Sequence, residues 1–305
     1  MKFSIVTPAW NVGPWLPETI ESVLSQRGDF ELEYIVVTDP SSDNTVDIVR
    51  EYTAKVANGS YTSSCKSLSM KHIELGGGGG MAVAINTGFS ACTGDIYAWI
   101  PGDDVYQPGA LEAMRTIFTT FPDIEWAKGF DDLIDEQSNL ILKGKSLLYY
   151  QPWLQAGVYG MEAYHVSQET SFWTAQLWKT YGPFPANKRS MCDYWLWLQF
   201  SKTARLWSAD IAISSFRKRQ EQDSRKNIIR CKESMWESRG GKRPLAGWVA
   251  RAYFVPYYHL IPVSMRHAAE GMYRVLFPHH PRTYIAIENG TAVKKTARAF
   301  ISGDN

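Results

Sequence analysis

Two adjacent carboxylates, Asp103 and Asp104, follow the apolar run 96–100 and a Pro101-Gly102 turn. Like charges this close repel, and each raises the other's pKa unless something positive intervenes. Hard oxygen donors suit Mg²⁺ or Mn²⁺, so cation binding is the chemistry this pair offers. A solvated acidic turn is the alternative. A third carboxylate, Asp193, opens the apolar stretch Tyr194, Trp195, Leu196, Trp197, Leu198. An Asp there acts as a general base or as a helix N-cap. Desolvation by its aromatic neighbours predicts a raised pKa. Asp39 begins the polar turn 39–44, and Pro8, Trp10 and Asn11 end the first apolar run.

The elements that must position these residues follow from periodicity. Residues 3–7 read as a first strand ending at Pro8, and Leu16, Ile20, Val23 and Leu24 mark a helix opened by Pro14 and Pro17. Residues 34–37 form a continuous apolar run, as in a parallel strand buried on both faces. Helix is predicted over 45–57 and 82–91, strand over 71–75 and 96–100, and a further helix on Leu111, Met114, Phe118 and Phe121. Residues 124–128 and 140–143 read as strands around an acidic turn. This alternation predicts an α/β fold, a doubly wound mixed sheet flanked by helices, and ligands in such sheets bind beyond the carboxyl ends of the strands. Pro8, Trp10, Asn11, Asp39, Asp103 and Asp104 all fall there.

The 305 residues carry a net charge of only +1, but unevenly. Residues 1–216 hold 15 basic against 24 acidic groups, a net of −9; residues 217–305 hold 17 against 7, a net of +10. A basic tail implies an anionic partner such as nucleotide phosphate, lipid headgroups or nucleic acid, the alternative being self-association or docking of the tail on the acidic body. Cys65, Cys92, Cys192 and Cys231 form no C-x-x-C pair, which argues against zinc or a disulfide scaffold and fits a reducing compartment. The six histidines show no ligand spacing. Met1-Lys2 leads straight into a strand without a visible signal peptide. Residues 248–263 include Arg251, Pro256, His259 and Pro262, which a spanning helix would not accept. The expected location is cytoplasmic, with peripheral attachment to the inner face of the plasma membrane through the tail. The glycines at 76–80 lack a following Gly-Lys-Ser/Thr, so they predict a mobile loop rather than a phosphate loop.

Several motifs in this order resemble family 2 glycosyltransferases: Ser4 to Asn11, Glu33 to Val37 followed by Asp39 to Thr45, Asn86-Thr87-Gly88, Gly94-Asp95, and Gly102 to Tyr106. Gln168 to Trp173 and Asp193 to Leu198 resemble the acceptor-side half. The resemblance covers roughly residues 3–222 and implies a GT-A fold with a nucleotide-sugar half over 1–107, an acceptor half over 108–222, and a mostly helical, basic and aromatic extension over 223–305. It implies inverting transfer from a nucleotide-diphosphate sugar, a UDP-sugar favoured, to a hydroxyl of a glycan or lipid-linked glycan, with no nucleic acid expected as partner. Pro8, Trp10 and Asn11 would line the base and Asp39 would accept from its ring N–H. Thr38 stands where relatives carry a second acidic residue. Asp103 would bind the ribose, Asp104 the Mg²⁺ or Mn²⁺, and Asp193 would be the base. Arg217 and Gln220 are expected near the diphosphate, and Gln168 and Trp173 near the acceptor. Val83, Ala84 and Ile85 stand where many relatives carry a charged residue before Asn86.

Two other functions fit such a fold. A nucleotidyltransferase would bring Arg or Lys into the first loop, and residues 8–13 have none. A non-catalytic nucleotide- or sugar-binding protein would need none of Asp103, Asp104 and Asp193.

Overall fold

A computed structural model describes residues 1–161, 163–185, 187–188, 190–220, 227–261, 265, 275 and 277–297. Its centre is a mixed sheet of eleven strands: β1 (Lys2–Ala9), β2 (Arg27–Thr38), β3 (Ser64–Glu74), β4 (Ile96–Trp99), β5 (Val105–Tyr106), β6 (Trp126–Ile134), β7 (Leu140–Leu142), β8 (Ser171–Thr174), β9 (Leu206–Arg217), β10 (Thr283–Glu288) and β11 (Thr291–Thr296). The strand order is β11-β10-β9-β6-β8-β4-β1-β2-β3, with β5 on β9 and β7 on β6. The helices are α1 (Leu16–Leu24), α2 (Thr45–Ala57), α3 (Gly80–Ser90), α4 (Ala110–Thr120), α5 (Gln151–Gln155), α6 (Ala175–Tyr181), α7 (Cys192–Phe200), α8 (Ile228–Ser238) and α9 (Leu245–His259).

The pairing explains where a ligand must sit. β1 is parallel to β2 and β4, and β2 to β3. β8 is antiparallel to both β4 and β6, so β6 points the same way as β4, and β9 is parallel to β6. The carboxyl ends of β1, β2, β4, β6 and β9 therefore lie along one edge, as does the amino end of β8.

Alternation along the strands divides the interior into two layers. On β2, Tyr34 and Val36 join an aliphatic cluster with Ile5, Leu16, Ile20, Leu111 and Met114. Ile35 and Val37 face an aromatic cluster with Trp99, Trp126, Trp173 and Trp197. Apolar spacing alone thus accounts for α1 and α4, whose buried residues include Leu16, Ile20, Val23 and Leu24, and Leu111, Met114, Ile117 and Phe118.

The boundaries differ from expectation chiefly by extension: β3 begins at Ser64 rather than 71, and β6 runs on to Ile134. Beyond residue 222 the chain supplies α8 and α9 and then the antiparallel β10–β11 pair. β10 joins β9 through Ile285 and Ala209, so the end of the segment returns to the main sheet. The glycines at 76–80 lead into α3, with Gly77, Gly78 and Gly80 at φ of 101°, 79° and 68°, a region that side chains rarely adopt.

Candidate active site

The loop after β1 is built on the turn that follows β2. Asn11 adopts a positive φ of 50°. Its Oδ1 accepts from the Ser42 backbone N–H at 2.8 Å, and its own N–H donates to Ser41 Oγ at 3.2 Å. Asp43 Oδ2 accepts from the Gly13 N–H at 2.9 Å. Asn11 thus shapes the loop. The consequence is an outward-facing Trp10, 63% exposed, with its indole N–H donating to Pro40 O at 3.1 Å. Beside it Asp39 has a buried Oδ1 without a hydrogen-bond partner. An unpaired buried acceptor is costly, and a donor from a ligand would satisfy it. Thr38 is buried and shares a hydrogen bond of 2.8 Å with His72 Nε2.

After β4 the chain turns and buries both aspartates, at 6% and 1% exposure for Asp103 and Asp104. Arg219 Nε donates to Asp103 Oδ2 at 2.6 Å, and its guanidinium stacks over Trp15 at 4.6 Å. Asp104 Oδ1 accepts from the Arg217 backbone N–H at 2.7 Å. Burial, then the charges of Asp103, Glu169 and Asp131, push the Asp104 carboxyl well above its ordinary pKa.

Arg217 itself corrects the sequence reading. Its side chain is fully buried, 0% exposed, and is spent on protein groups rather than turned to a diphosphate. Nε donates to Asp103 O at 2.7 Å, Nη1 to Ser138 Oγ at 2.8 Å and to Asp135 O at 3.1 Å, and Nη2 pairs with Glu18 at 2.5 Å. It ties the end of β9 to the Asp103 turn. Gln220 is exposed, and its backbone N–H donates to Glu136 Oε1 at 2.9 Å. Glu221 and Gln222, the end of that polar run, lie outside the described residues.

Trp173 is a second correction, because it is 0% exposed and packs on Trp99 at 5.3 Å and Trp197 at 5.7 Å. It is core, not a surface for an acceptor. Gln168 is half-buried and accepts through Oε1 from the Trp99 indole N–H. Asn86 forms a two-way clip with the Phe184 backbone, at 3.0 and 2.9 Å.

Asp193 lies in the first turn of α7, buried at 9% exposure, with Oδ2 only 2.6 Å from His165 Nε2. Burial works to raise its carboxyl, but the charge and hydrogen bond of His165 outweigh it, and the net direction is down. The raised pKa expected from aromatic neighbours is therefore reversed, because sequence did not disclose the histidine. For His165 burial opposes the charged form, Asp193 favours it, and the ring ends above its ordinary pKa.

Sequence reasoning also missed Glu169, Lys128 and Asp131. Glu169 sits in a 3₁₀ turn (Gln168–Thr170) at the start of β8, and burial, then Asp131, pushes its carboxyl to about 8. Lys128 is buried on β6, 3.3 Å from Tyr149 Oη, and burial holds its pKa down. Charge interactions link Glu169 to Asp104, to Asp131 and to Asp193. These charged groups therefore lie near enough to act on one another. Glu169 could have been found from its place inside the 168–173 motif; Lys128 and Asp131 carried no such signal.

Among the described residues no group of three or more His, Cys, Asp and Glu forms a ready-made metal cage. A single carboxylate still fits a Mg²⁺-type ion, whose remaining ligands are usually phosphate oxygens and water. The acidic crowding on Asp104 is what such an ion would relieve.

No described helix is long and apolar enough to cross a membrane. In the tail, Leu245 is 80% exposed, Trp248 56% and Val249 40%, and Arg243 stacks over Trp248 at 4.7 Å. Tyr253 instead packs on Phe277 at 6.3 Å. The side chains of Phe254, Tyr257 and Tyr258 lie outside the described residues.

A doubly wound sheet with acidic residues gathered at one carboxyl edge is the GT-A arrangement. Residues 4–131 match the family model described as glycosyl transferase family 2. An uncharacterized glycosyltransferase of Nostoc sp. is 29% identical over 141 residues, 46% of this chain and 40% of that protein. The chain spans less than two thirds of the length of the curated relatives it matches first. Among solved structures, S. aureus TarS 1-349 in complex with UDP-GlcNAc is similar at a TM-score of 0.61 and 17% identity. That match covers 92% of this chain and 82% of TarS 1-349. The mannosyltransferase PcManGT from Pyrobaculum calidifontis, in complex with GDP-Man and Mn²⁺, is similar at 0.58 and 16%, covering 90% of this chain and 75% of PcManGT. Residues 4–131 are thus similar to the family 2 glycosyltransferases, and the chain shares the GT-A fold of these solved structures.

Proposed function

We propose that the protein is an inverting glycosyltransferase that moves a sugar from a nucleotide diphosphate to a hydroxyl of a glycan or lipid-linked glycan. One observation carries the donor half: the exposed Trp10 face and the unpaired, buried Asp39 Oδ1 flank the Asp103-Asp104 turn on adjacent parallel strands. Trp10 offers a flat wall to a planar base, and Asp39 an acceptor for its ring N–H. Asp103 then meets the ribose hydroxyls with the carboxylate oxygen that Arg219 leaves unused. The similar structures hold UDP-GlcNAc and GDP-Man, which supports a nucleotide-sugar donor, and a UDP-sugar is the favoured one.

Asp104 would hold Mg²⁺ or Mn²⁺, which when bound offsets the charge on the departing diphosphate. The chain itself keeps that carboxylate oriented through the Arg217 N–H and dry through burial. Asp193, bonded to His165, is the carboxylate of the base. In an inverting transfer the acceptor oxygen attacks the anomeric carbon opposite the leaving group as its proton is removed. The exposed Leu245, Trp248 and Val249 beside Lys242, Arg243 and Arg251 suit an anionic lipid surface, where lipid-linked acceptors sit.

Calorimetric titration with UDP, GDP, dTDP and CMP, each with Mn²⁺ and again with EDTA, tests the donor site. Metal-dependent binding of one diphosphate, lost in Asp104→Ala, is expected. Binding to none of them would end the donor-site reading. Asp193→Asn separates an enzyme from a binding protein: binding survives and turnover falls.

A further inference from the structure

Asp193 stands two residues after a backbone position that needs holding. Met191, which precedes α7, takes a left-handed conformation with φ 52° and ψ 46°. A non-glycine residue stays there only where its surroundings over-determine it. Much of that support comes from α8, beyond residue 222. Ser234 and Ser238 lie four residues apart on one face of that helix. Lys188, shortly before the bend, sends its ammonium to both: Nζ donates to Ser238 Oγ at 2.6 Å, to Ser234 Oγ at 2.7 Å and to Ser234 O at 3.2 Å. Its three donors are thereby spent, so it is free neither to grip an anion nor to bond with Asp193. Ser234 Oγ donates in turn to the Ser190 carbonyl at 2.8 Å, one residue before Met191. Met235 of α8 packs with Tyr194 and Leu198 of α7, and Met191 lies against the same cluster. Tyr194 Oη and Arg239 Nη1, the latter from the residue after α8, share the Gly157 carbonyl at 2.6 and 3.4 Å.

We infer that the Lys188–Ser234–Ser238 cluster positions Asp193, so that α8 belongs to the catalytic unit rather than to a separate tail. The inference rests on the transferase reading above, in which Asp193 removes the acceptor proton. A base must lie within hydrogen-bond reach of that proton while the acceptor oxygen faces the anomeric carbon. Misplacing such a group by about 1 Å costs on the order of 100-fold in rate. His165 fixes the Asp193 carboxylate through Oδ2, and the α8 cluster fixes the backbone that carries it. Lys188 sits near enough for the charge of Asp193 to act on it, although its own bonds all go to α8. Trp10, Asp39, Asp103 and Asp104 follow β1, β2 and β4, and none of these bonds reaches them. Loss of the cluster should therefore slow the chemical step and leave donor binding in place.

Two measurements on the full chain test this. In the first, release of UDP from UDP-GlcNAc, or of GDP from GDP-Man, is followed with Mn²⁺ present and water as the acceptor. Ser234→Ala with Ser238→Ala, and separately Lys188→Met, are expected to lose about tenfold or more in kcat, with the donor KM within about threefold of the parent. Ser234→Thr with Ser238→Thr keeps both hydroxyls and is expected to recover most of that rate. An alanine-pair kcat within about threefold of the parent would overturn the inference, as would a loss confined to KM or an equal loss in the threonine pair. Lys188→Met decides alone where the alanine pair does not fold. In the second, amide deuterium exchange is followed in the peptide that leads into α7. Faster exchange there in the alanine pair and in Lys188→Met is expected, with no change in the peptide that carries Asp103 and Asp104. Unchanged exchange before α7 would overturn the inference on its own. No release from either sugar nucleotide by the parent, with exchange responding as expected, would instead count against the transferase reading, and the positioning role would fall with it.

Discussion

Replacing Arg217 by Met discriminates most sharply between the role that sequence suggests and the role that the fold assigns. Methionine has a similar length, so little cavity opens, but Asp103 O, Asp135 O and Ser138 Oγ lose a close donor, and Glu136 O a long one at 3.5 Å. Each buried acceptor left unpaired costs about 1–3 kcal/mol. Glu18 also loses Arg217, but it keeps the Ser138 hydroxyl at 2.7 Å, and its side chain is 46% exposed and can turn to water, so that loss counts for little. Ser138 can rotate its hydroxyl toward solvent as well. The two carbonyls dominate, and at about 1–3 kcal/mol each we expect a loss of about 3–5 kcal/mol. In a chain of this size that is a fall in Tm of roughly 6–12 °C. Urea unfolding is the assay, read as a lower midpoint at an unchanged m-value. Nucleotide affinity should also fall, because the Asp103 turn loses its anchor. A variant within about 1 kcal/mol of the parent, yet unable to bind nucleotide and losing its salt dependence, would refute this reasoning. It would return Arg217 to the diphosphate.

Glu169→Gln tests the buried acidic cluster. A carboxyl raised to about 8 binds its proton more tightly folded than unfolded, so stability falls as pH rises from about 4.5 toward 8. Urea midpoints in EDTA should show that slope in the parent and less of it in the variant; equal slopes would contradict the cluster. Asp104→Asn removes a buried charge that its neighbours disfavour, so the metal-free protein should become more stable at neutral pH while Mn²⁺-dependent nucleotide binding is lost. A less stable variant in EDTA would show that the carboxylate is needed for the fold itself. Trp248→Glu with Leu245→Glu should abolish sedimentation with phosphatidylserine vesicles at low salt; unchanged binding would move the membrane contact elsewhere.

How much of this was legible in the sequence depends on the range of the interaction. Apolar periodicity found α1 and α4 because each buries a local stripe, and residues 34–37 were readable as strand because both faces are buried. Strand ends gave Trp10, Asp39, Asp103 and Asp104, since a parallel sheet gathers its carboxyl ends whatever the pairing order. The start of β3 was not readable, because Ser64 to Met70 is half-exposed and polar. Long-range partners were invisible for the same kind of reason. Glu18 lies 199 residues from Arg217, and His165 lies 28 from Asp193. No spacing rule connects such pairs, so a buried Arg looked like a surface one and a perturbed Asp was given the wrong sign.

The charges near the carboxyl ends of the strands also explain why basic residues near a diphosphate site need not grip phosphate. Asp103, Asp104, Asp131, Glu169 and Asp193 converge where the described cations are already engaged: Arg217 inside the protein, Arg219 on Asp103, Lys128 at Tyr149 and His165 on Asp193. An incoming diphosphate would meet a field of its own sign. A divalent cation at Asp104 reverses that field locally, and it does so only where the anionic ligand supplies the remaining oxygens. Metal and nucleotide should therefore bind with positive coupling, each tightening the other by the same factor. Titration of Mn²⁺ with and without UDP measures that factor directly. Equal Mn²⁺ affinity in both would mean that the acidic edge is neutralised by protonation instead, and Asp104 would then not be the residue that recruits the donor.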